Sequence, residues 1–302
     1  MNRKAKNILL PALMLVFATS AHAQEDLLNA LVDSTYGKHQ PVLATFKTTR
    51  IVNVHSVETV KVRGLDFRVT HHFGDVAGQN GGIHTLYGMD QSADIRIAFE
   101  YGVSDRITVG TGRSKIGEML DGYFKYRLLT QTQDNRKPLS VTLLTSMAYT
   151  PARAVSDEYR NAAHRLSYTY QLLMAHKFNQ KLSVQVAPSL LHRNYIFDPA
   201  DKHDLFSVGI GGRLKLTKRF ALLADYMYTF SELRRKEESG YYAPLGLGIE
   251  IETGGHVFHM FFTNNAGVIE NVFIPNTTSS WRKGEFKFGF NISRVFVLGK
   301  ER

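Results

Sequence analysis

From about residue 62 onward the chain reads as short blocks in which apolar and polar side chains alternate, and residues 92–114 show the unit most clearly. Ile95, Ile97, Phe99 and Tyr101 alternate with Asp94, Arg96, Ala98 and Glu100. After the turn Gly102-Val103-Ser104-Asp105, Ile107, Val109 and Thr111 alternate with Arg106, Thr108, Gly110 and Gly112. A period of two places one set on each face of a strand. The same rhythm predicts twelve strands: 62–73, 92–101, 106–114, 122–130, 139–149, 164–178, 181–195, 204–216, 219–230, 240–253, 256–263 and 281–298.

The connections between these blocks run generally longer, shorter, longer, shorter. Asn179-Gln180, Thr217-Lys218 and the hairpin turn Gly254-Gly255 are tight, whereas residues 74–91, 150–163, 196–203, 231–239 and 264–280 are long or polar. Such an order marks an up-and-down barrel with tight periplasmic turns on one rim and longer loops on the other. A soluble sandwich gives no reason for it. The fold expected is all-β, an antiparallel transmembrane barrel of about 12 strands within a range of about 10 to 14. An even count leaves both ends of the barrel on the periplasmic side.

The two faces agree with that orientation. Leu166, Tyr168, Tyr170, Leu172 and Met174 alternate with Arg165, Ser167, Thr169 and Gln171, and Phe286, Phe288, Phe290 and Ile292 with Glu285, Lys287, Gly289 and Asn291. Turning every apolar face inward would crowd aromatic side chains into a lumen wider than they readily fill. Tyr101, Tyr149, Tyr195 and Tyr228 near strand ends suit aromatic girdles. The polar parity then lines the lumen with Asp66, Arg68, Asp94, Arg96, Glu100, Lys125, Arg127, Arg165, Arg193, Arg213, Lys215, Asp225, Glu250, Glu285 and Lys287. Lys177 and Glu252 share that parity. The mild positive excess favours anions if water fills the pore, but the same charges could pair across strands and close it.

Before the barrel, Arg3, Lys4 and Lys6, an apolar run from Ile8 to Ala18, and Ala21-His22-Ala23 form the pattern of a signal peptide over residues 1–23. Residues 24–61 are expected to form a periplasmic arm or a plug. Within them, Leu27, Leu28, Leu31 and Val32 suit a short amphipathic helix or a loose leader. Pro41 to Val62 reads either as a strand or as extended chain tucked into the lumen. No cysteine is present, so no disulfide or lipid-attached cysteine is possible. The net charge of +10 includes Arg3, Lys4 and Lys6, which leaves about +7 interleaved at strand period, a distribution that argues against nucleic acid. Fourteen Tyr and 19 Phe beside one Trp suit many strands with aromatic edges.

Candidate chemistry is sparse. A serine nucleophile on a strand needs its histidine two residues away, and no His-x-Ser occurs; His55-Ser56 and His164 with Ser167 fall on opposite faces. His71 and His72 likewise diverge, as do His256 and His259, so neither pair chelates one ion. No enzyme, cofactor or metal is therefore expected. Gly209, Gly211 and Gly212 read as bends or as room for a neighbour.

Several stretches resemble an uncharacterised β-barrel family of Bacteroidota, a domain of unknown function. They are Phe46-Lys47-Thr48-Thr49-Arg50, Leu65-Asp66-Phe67-Arg68 with His71-His72-Phe73-Gly74-Asp75, Gly88-Met89-Asp90, Tyr101-Gly102-Val103-Ser104-Asp105-Arg106 with Val109-Gly110, and Asp121-Gly122-Tyr123-Phe124-Lys125-Tyr126-Arg127. The likeness covers most of the mature chain and is strongest between Phe46 and Thr150. It implies an outer-membrane barrel of a Gram-negative cell and carries no activity. The ending Gly299-Lys300-Glu301-Arg302 departs from the usual terminal aromatic, a role expected of Phe296. The expected partners are outer-membrane lipid, the barrel-assembly machinery during insertion, and a periplasmic protein. The expected function is a small passive pore or channel for a small solute, the alternative a closed structural or partner-binding barrel.

Overall fold

A computed structural model describes residues 40–154 and 158–299; the expected signal peptide and the leader up to residue 39 lie outside them. Twelve strands follow in order: β1 (Gly64–Asp75), β2 (Ser92–Ser104), β3 (Ile107–Ser114), β4 (Leu120–Leu129), β5 (Ser140–Tyr149), β6 (Leu166–Lys177), β7 (Leu182–Arg193), β8 (Asp204–Lys215), β9 (Phe220–Phe230), β10 (Leu245–Thr253), β11 (His256–Thr263) and β12 (Lys287–Val297). Each pairs antiparallel with its neighbours in sequence, and β1 pairs with β12 to close the barrel. Closure leaves no strand edge unpaired, the condition for a sheet in hydrocarbon.

The alternation seen in the sequence becomes an outside and an inside. Ile97, Phe99, Phe206, Ile210, Leu222 and Phe262 are exposed, while Arg96, Glu100, Ser207, Asp225 and Thr263 on the same strands are buried. Among the described residues no helix is long and apolar enough to cross a membrane. The apolar band belongs to the strands, which are 8 to 13 residues long, against the about 9–11 that a tilted membrane strand needs.

The connections alternate less strictly than expected: residues 115–119 on the long rim are brief, and residues 130–139 on the short rim are the longer loop. Residues 240–244, read as the start of a strand, are loop. Gly240 takes a left-handed conformation there (φ 72°). Residues 281–286 also precede their strand, because Trp281–Lys283 form a helical turn ended by Gly284 at φ 75°.

Two segments fill the interior. The first is residues 41–62, which enter at the short-turn rim, where Val42 N–H donates to the Gln131 carbonyl at 2.7 Å. The second is the connection between β11 and β12, which folds inward from the long-loop rim and carries the helix α1 (Glu270–Asn276). Phe46, Ile51, Val52, Val54 and Val57 of the first and Phe273 and Ile274 of the second join Leu144, Leu173, Leu191, Leu205, Leu223 and Met227 of the wall in one buried cluster. On β5 to β9 these apolar residues interrupt the polar-inward parity where apolar chain covers the wall, while Thr142, Thr169, Gln185, Ser207 and Asp225 on the same strands keep it.

Candidate functional site: a doubly plugged lumen

The first segment narrows at its tip to a tight turn, Ile51 to Val54, closed by Ile51 N–H donating to the Val54 carbonyl at 2.9 Å. Such a turn aims successive backbone N–H groups one way, an arrangement that binds anions. The anion is Asp225, 3% exposed on β9. Its Oδ2 accepts from the N–H groups of Val52 (3.0 Å), Asn53 (2.6 Å) and Val54 (3.0 Å), and its Oδ1 from Asn53 Nδ2 at 2.8 Å. Asp225 lies opposite Gly211 on β8 and Gly246 on β10. A Cβ on Gly211 would come within 2.4 Å of Ile51 Cδ1, and one on Gly246 within 2.5 Å of Asn53 Nδ2. The two glycines make the seat deep enough for the turn.

A second wall grips the segment by cations. Lys125 Nζ donates to the carbonyls of Thr49 (3.0 Å), Ser56 (3.0 Å) and Glu58 (3.2 Å). Arg127 meets Glu58 at 2.8 Å, and Lys177 donates to the Ala44 carbonyl at 2.8 Å. Thr49 Oγ1 donates to Glu100 at 2.5 Å and accepts from Arg68 at 2.9 Å, and Arg68 also pairs with Asp66 at 2.9 Å. Beyond the segment, Arg96 makes a bidentate pair with Asp121, and Arg213 pairs with Glu250 and Glu252.

The inward loop has its own holds. Asp94 Oδ2 accepts from Val268 N–H at 3.0 Å, while its Oδ1 takes the N–H groups of Lys115 and Ile116. His72 meets the Ala266 carbonyl at 2.9 Å. Asn271 on α1 bonds Thr169 at 3.1 Å and Ser167 at 2.9 Å on β6. Where the two segments meet, Arg50 lies 3.5 Å and His55 3.9 Å from Glu270, and Arg50 Nη1 also reaches the Val268 carbonyl at 3.4 Å. Arg50, His55 and Glu270 are all buried.

Of the residues expected to line the lumen, Asp66, Arg68, Asp94, Arg96, Glu100, Lys125, Asp225, Glu250 and Lys287 are buried and Arg127, Arg213 and Lys215 half-buried, all on strands. Arg165 and Arg193 sit at the long-loop rim; Arg165 donates to the carbonyls of Thr150 and Ala152, and Arg193 pairs with Asp201. Glu285 belongs to the loop before β12, where it accepts from Ser280 N–H at 2.9 Å. Lys287 pairs with Asp75 at 2.6 Å. His55 and Ser56 diverge: Ser56 donates to the Thr48 carbonyl, and His55 turns to Arg50 and the Tyr123 ring. Sequence reasoning missed Arg50, Glu58, Asp121 and Glu270. The signal for Arg50 and Glu58 was the run Ile51-Val52-Asn53-Val54 ahead of the first strand, and for Glu270 the run Val268-Ile269 inside a nominal surface loop; Asp121 shares the polar parity of Lys125 and Arg127 on β4.

At the long-loop rim Asp201 joins three loops. It accepts from Arg193 at 2.7 Å and from Arg234 at 2.7 and 2.8 Å, and Arg234 reaches the carbonyl of Pro275 at the end of α1 at 2.7 Å. Burial alone would raise the Asp201 pKa, but the hydrogen bonds from Arg234 and Arg193 outweigh it and hold the carboxyl well below its usual range. A carboxyl depressed in the folded state stabilises fully above its unfolded pKa, about 3.9, and loses that contribution as pH falls through the folded value. The 193–203 loop is therefore expected to loosen on acidification below about pH 4, and Asp201→Asn to remove that dependence, read from protease cleavage of the loop against pH.

A family model described as "Membrane bound beta barrel domain (DUF5777)" matches residues 46–296. The chain belongs to this family. The match begins at Phe46, so the inner segment is part of the family's pattern along with the strands. Comparison with curated proteins gives no match. Among solved structures the barrel is similar to the COG4313 outer membrane channel from Pseudomonas putida F1, at 13% identity and TM-score 0.50, over 81% of this chain and 100% of that one. It is also similar to the NanC porin (9% identity, TM-score 0.48, 78% and 100%) and the KdgM porin (7%, 0.47, 77% and 99%). At these identities the likeness concerns the fold.

Proposed function

We propose that the protein is an outer-membrane channel for a small solute, held closed by the segment 41–62 and the loop carrying α1. One observation carries this reading: the plug is not part of the sheet. Among the described residues its only bridges are Pro41 with Thr132 and Arg50 with His55, whereas every wall strand is fully paired without it. A segment held by side-chain contacts can leave without opening the wall, and a twelve-stranded barrel so vacated encloses a lumen. The short-turn rim, periplasmic on this reading, already opens into a vestibule of about 850 Å³ lined by Leu43, Phe46, Glu58, Lys61, Asp66 and Val257.

Planar-bilayer recording tests it. The native chain is expected to be mostly silent with rare steps, and Gly246→Val, whose side chain takes the space of Asn53, to step often. Silence from both chains, each verified as folded by heat-modifiable gel mobility, would sink the channel. The second reading, a permanently closed barrel for a periplasmic partner, is favoured by the joint held between the two segments. Silence together with a periplasmic protein retained by the native chain would select it. On either reading the outer band sits in outer-membrane lipid and the chain is a substrate of the barrel-assembly machinery.

A further inference from the structure

The two plugs touch, and their contacts form a continuous line across the barrel. It starts at Asp225 on β9, which holds Asn53 through both its backbone and its side chain. Arg50 Nη1 donates to the Asn53 carbonyl at 2.7 Å and to the Val268 carbonyl at 3.4 Å, and Nη2 lies 3.5 Å from Glu270. Val268 N–H ends the line on Asp94 of β2. One wall carboxylate thus anchors the plug from the periplasmic side, another anchors the loop from the outer side, and Arg50, with His55 beside it, spans the joint, each of its terminal nitrogens reaching both segments.

We infer that the two plugs are one gate, coupled through Arg50 and Glu270, so that an event lifting the outer loop is felt by the periplasmic plug. The reason is the cost of a lone buried charge. With α1 in place, the Arg50 guanidinium, 3% exposed, has Glu270 and the Val268 carbonyl; with α1 lifted, it loses its carboxylate and keeps only Asn53 and His55. A buried pair that loses one member is strongly destabilised. The seated plug therefore weakens when the loop leaves, and Glu270 is stranded in the same way when the plug leaves first. Coupling of this kind is reciprocal by thermodynamic necessity. The inference rests on the plugged-barrel reading above but does not need current to flow.

Hydrogen exchange on the full chain, reconstituted in nanodiscs, tests it with substitutions that touch one segment only. Asp94→Asn loosens the loop at Val268 and touches no plug residue; exchange over residues 50–55 is expected to rise roughly tenfold, within the range for allosteric couplings. Asp225→Asn, which touches only the plug, is expected to speed exchange over residues 268–274 in turn. In a Glu270→Gln background the Asp94→Asn effect on the plug should shrink to what the Arg50 contact with the Val268 carbonyl still transmits. Should Asp94→Asn fail to fold, Asn271→Ala releases α1 from Ser167 and Thr169 and serves in its place. Exchange that changes only in the segment whose own anchor was cut would overturn the coupling. A chain with reciprocal exchange that never conducts would retire the channel and leave the coupling standing; a conducting chain with independent segments would retire the coupling alone.

Discussion

Asp225→Asn is expected to release the plug turn, speeding amide exchange at Val52, Asn53 and Val54 by about a hundredfold. The carboxylate satisfies four N–H donors with two oxygens. An amide in its place must turn its NH₂ either toward the three backbone donors or toward Asn53 Nδ2, and both arrangements set donor against donor. Hydrogen bonds to a charged group contribute about 1.5–3 kcal/mol each, and leaving buried donors unpaired costs about 1–3 kcal/mol. A net loss of about 3 kcal/mol corresponds to the hundredfold change. Unchanged exchange would mean that the seat made by Gly211 and Gly246 and the apolar contacts hold the turn without the anion.

The second large effect falls on the wall. Arg68 sits between two carboxylates, pairing with Asp66 at 2.9 Å and lying 3.7 Å from Glu100. Asp66 and Glu100 face each other directly across β1 and β2. Like charges opposite one another on adjacent strands repel, and Arg68 is the cation that permits them. Arg68→Leu leaves both buried without it, at an expected cost of about 3–5 kcal/mol. The measurement is the urea midpoint for loss of the heat-modifiable form. Adding Asp66→Asn and Glu100→Gln to Arg68→Leu should recover most of the loss, because no unpaired charge then remains. If Arg68→Leu alone left the midpoint where it was, the network would be decoration rather than support.

How far the sequence leads can be judged from particular residues. The twelve strands were legible because apolar and polar positions alternate against a fixed period, and Gly254-Gly255 marks its hairpin outright: Thr253 pairs with His256 across it. The inward charges of β1, β2 and β4 were legible by the same parity. What parity cannot show is the partner of each charge. Lys125 reads like any lumen cation, yet its three acceptors are backbone carbonyls of residues 49–58, a segment whose own pattern fits both a strand and a tucked chain. Leu173 and Leu191 stand on the polar parity and break it, because the plug lies over them. Gly211 was read as a bend or as room for a neighbour; the neighbour is Ile51. Helix α1 was not legible, since an apolar run in a surface loop acquires its meaning only from the hollow it fills.

A removable plug closing a channel would show itself in single-channel recording of Asp225→Asn beside the native chain. The substitution is expected to multiply the frequency of openings while the size of each step stays that of the native chain's rare ones, because the wall is the same and only the latch is weaker. An Asp225→Asn barrel that exchanges its plug amides rapidly and still passes no current would contradict it.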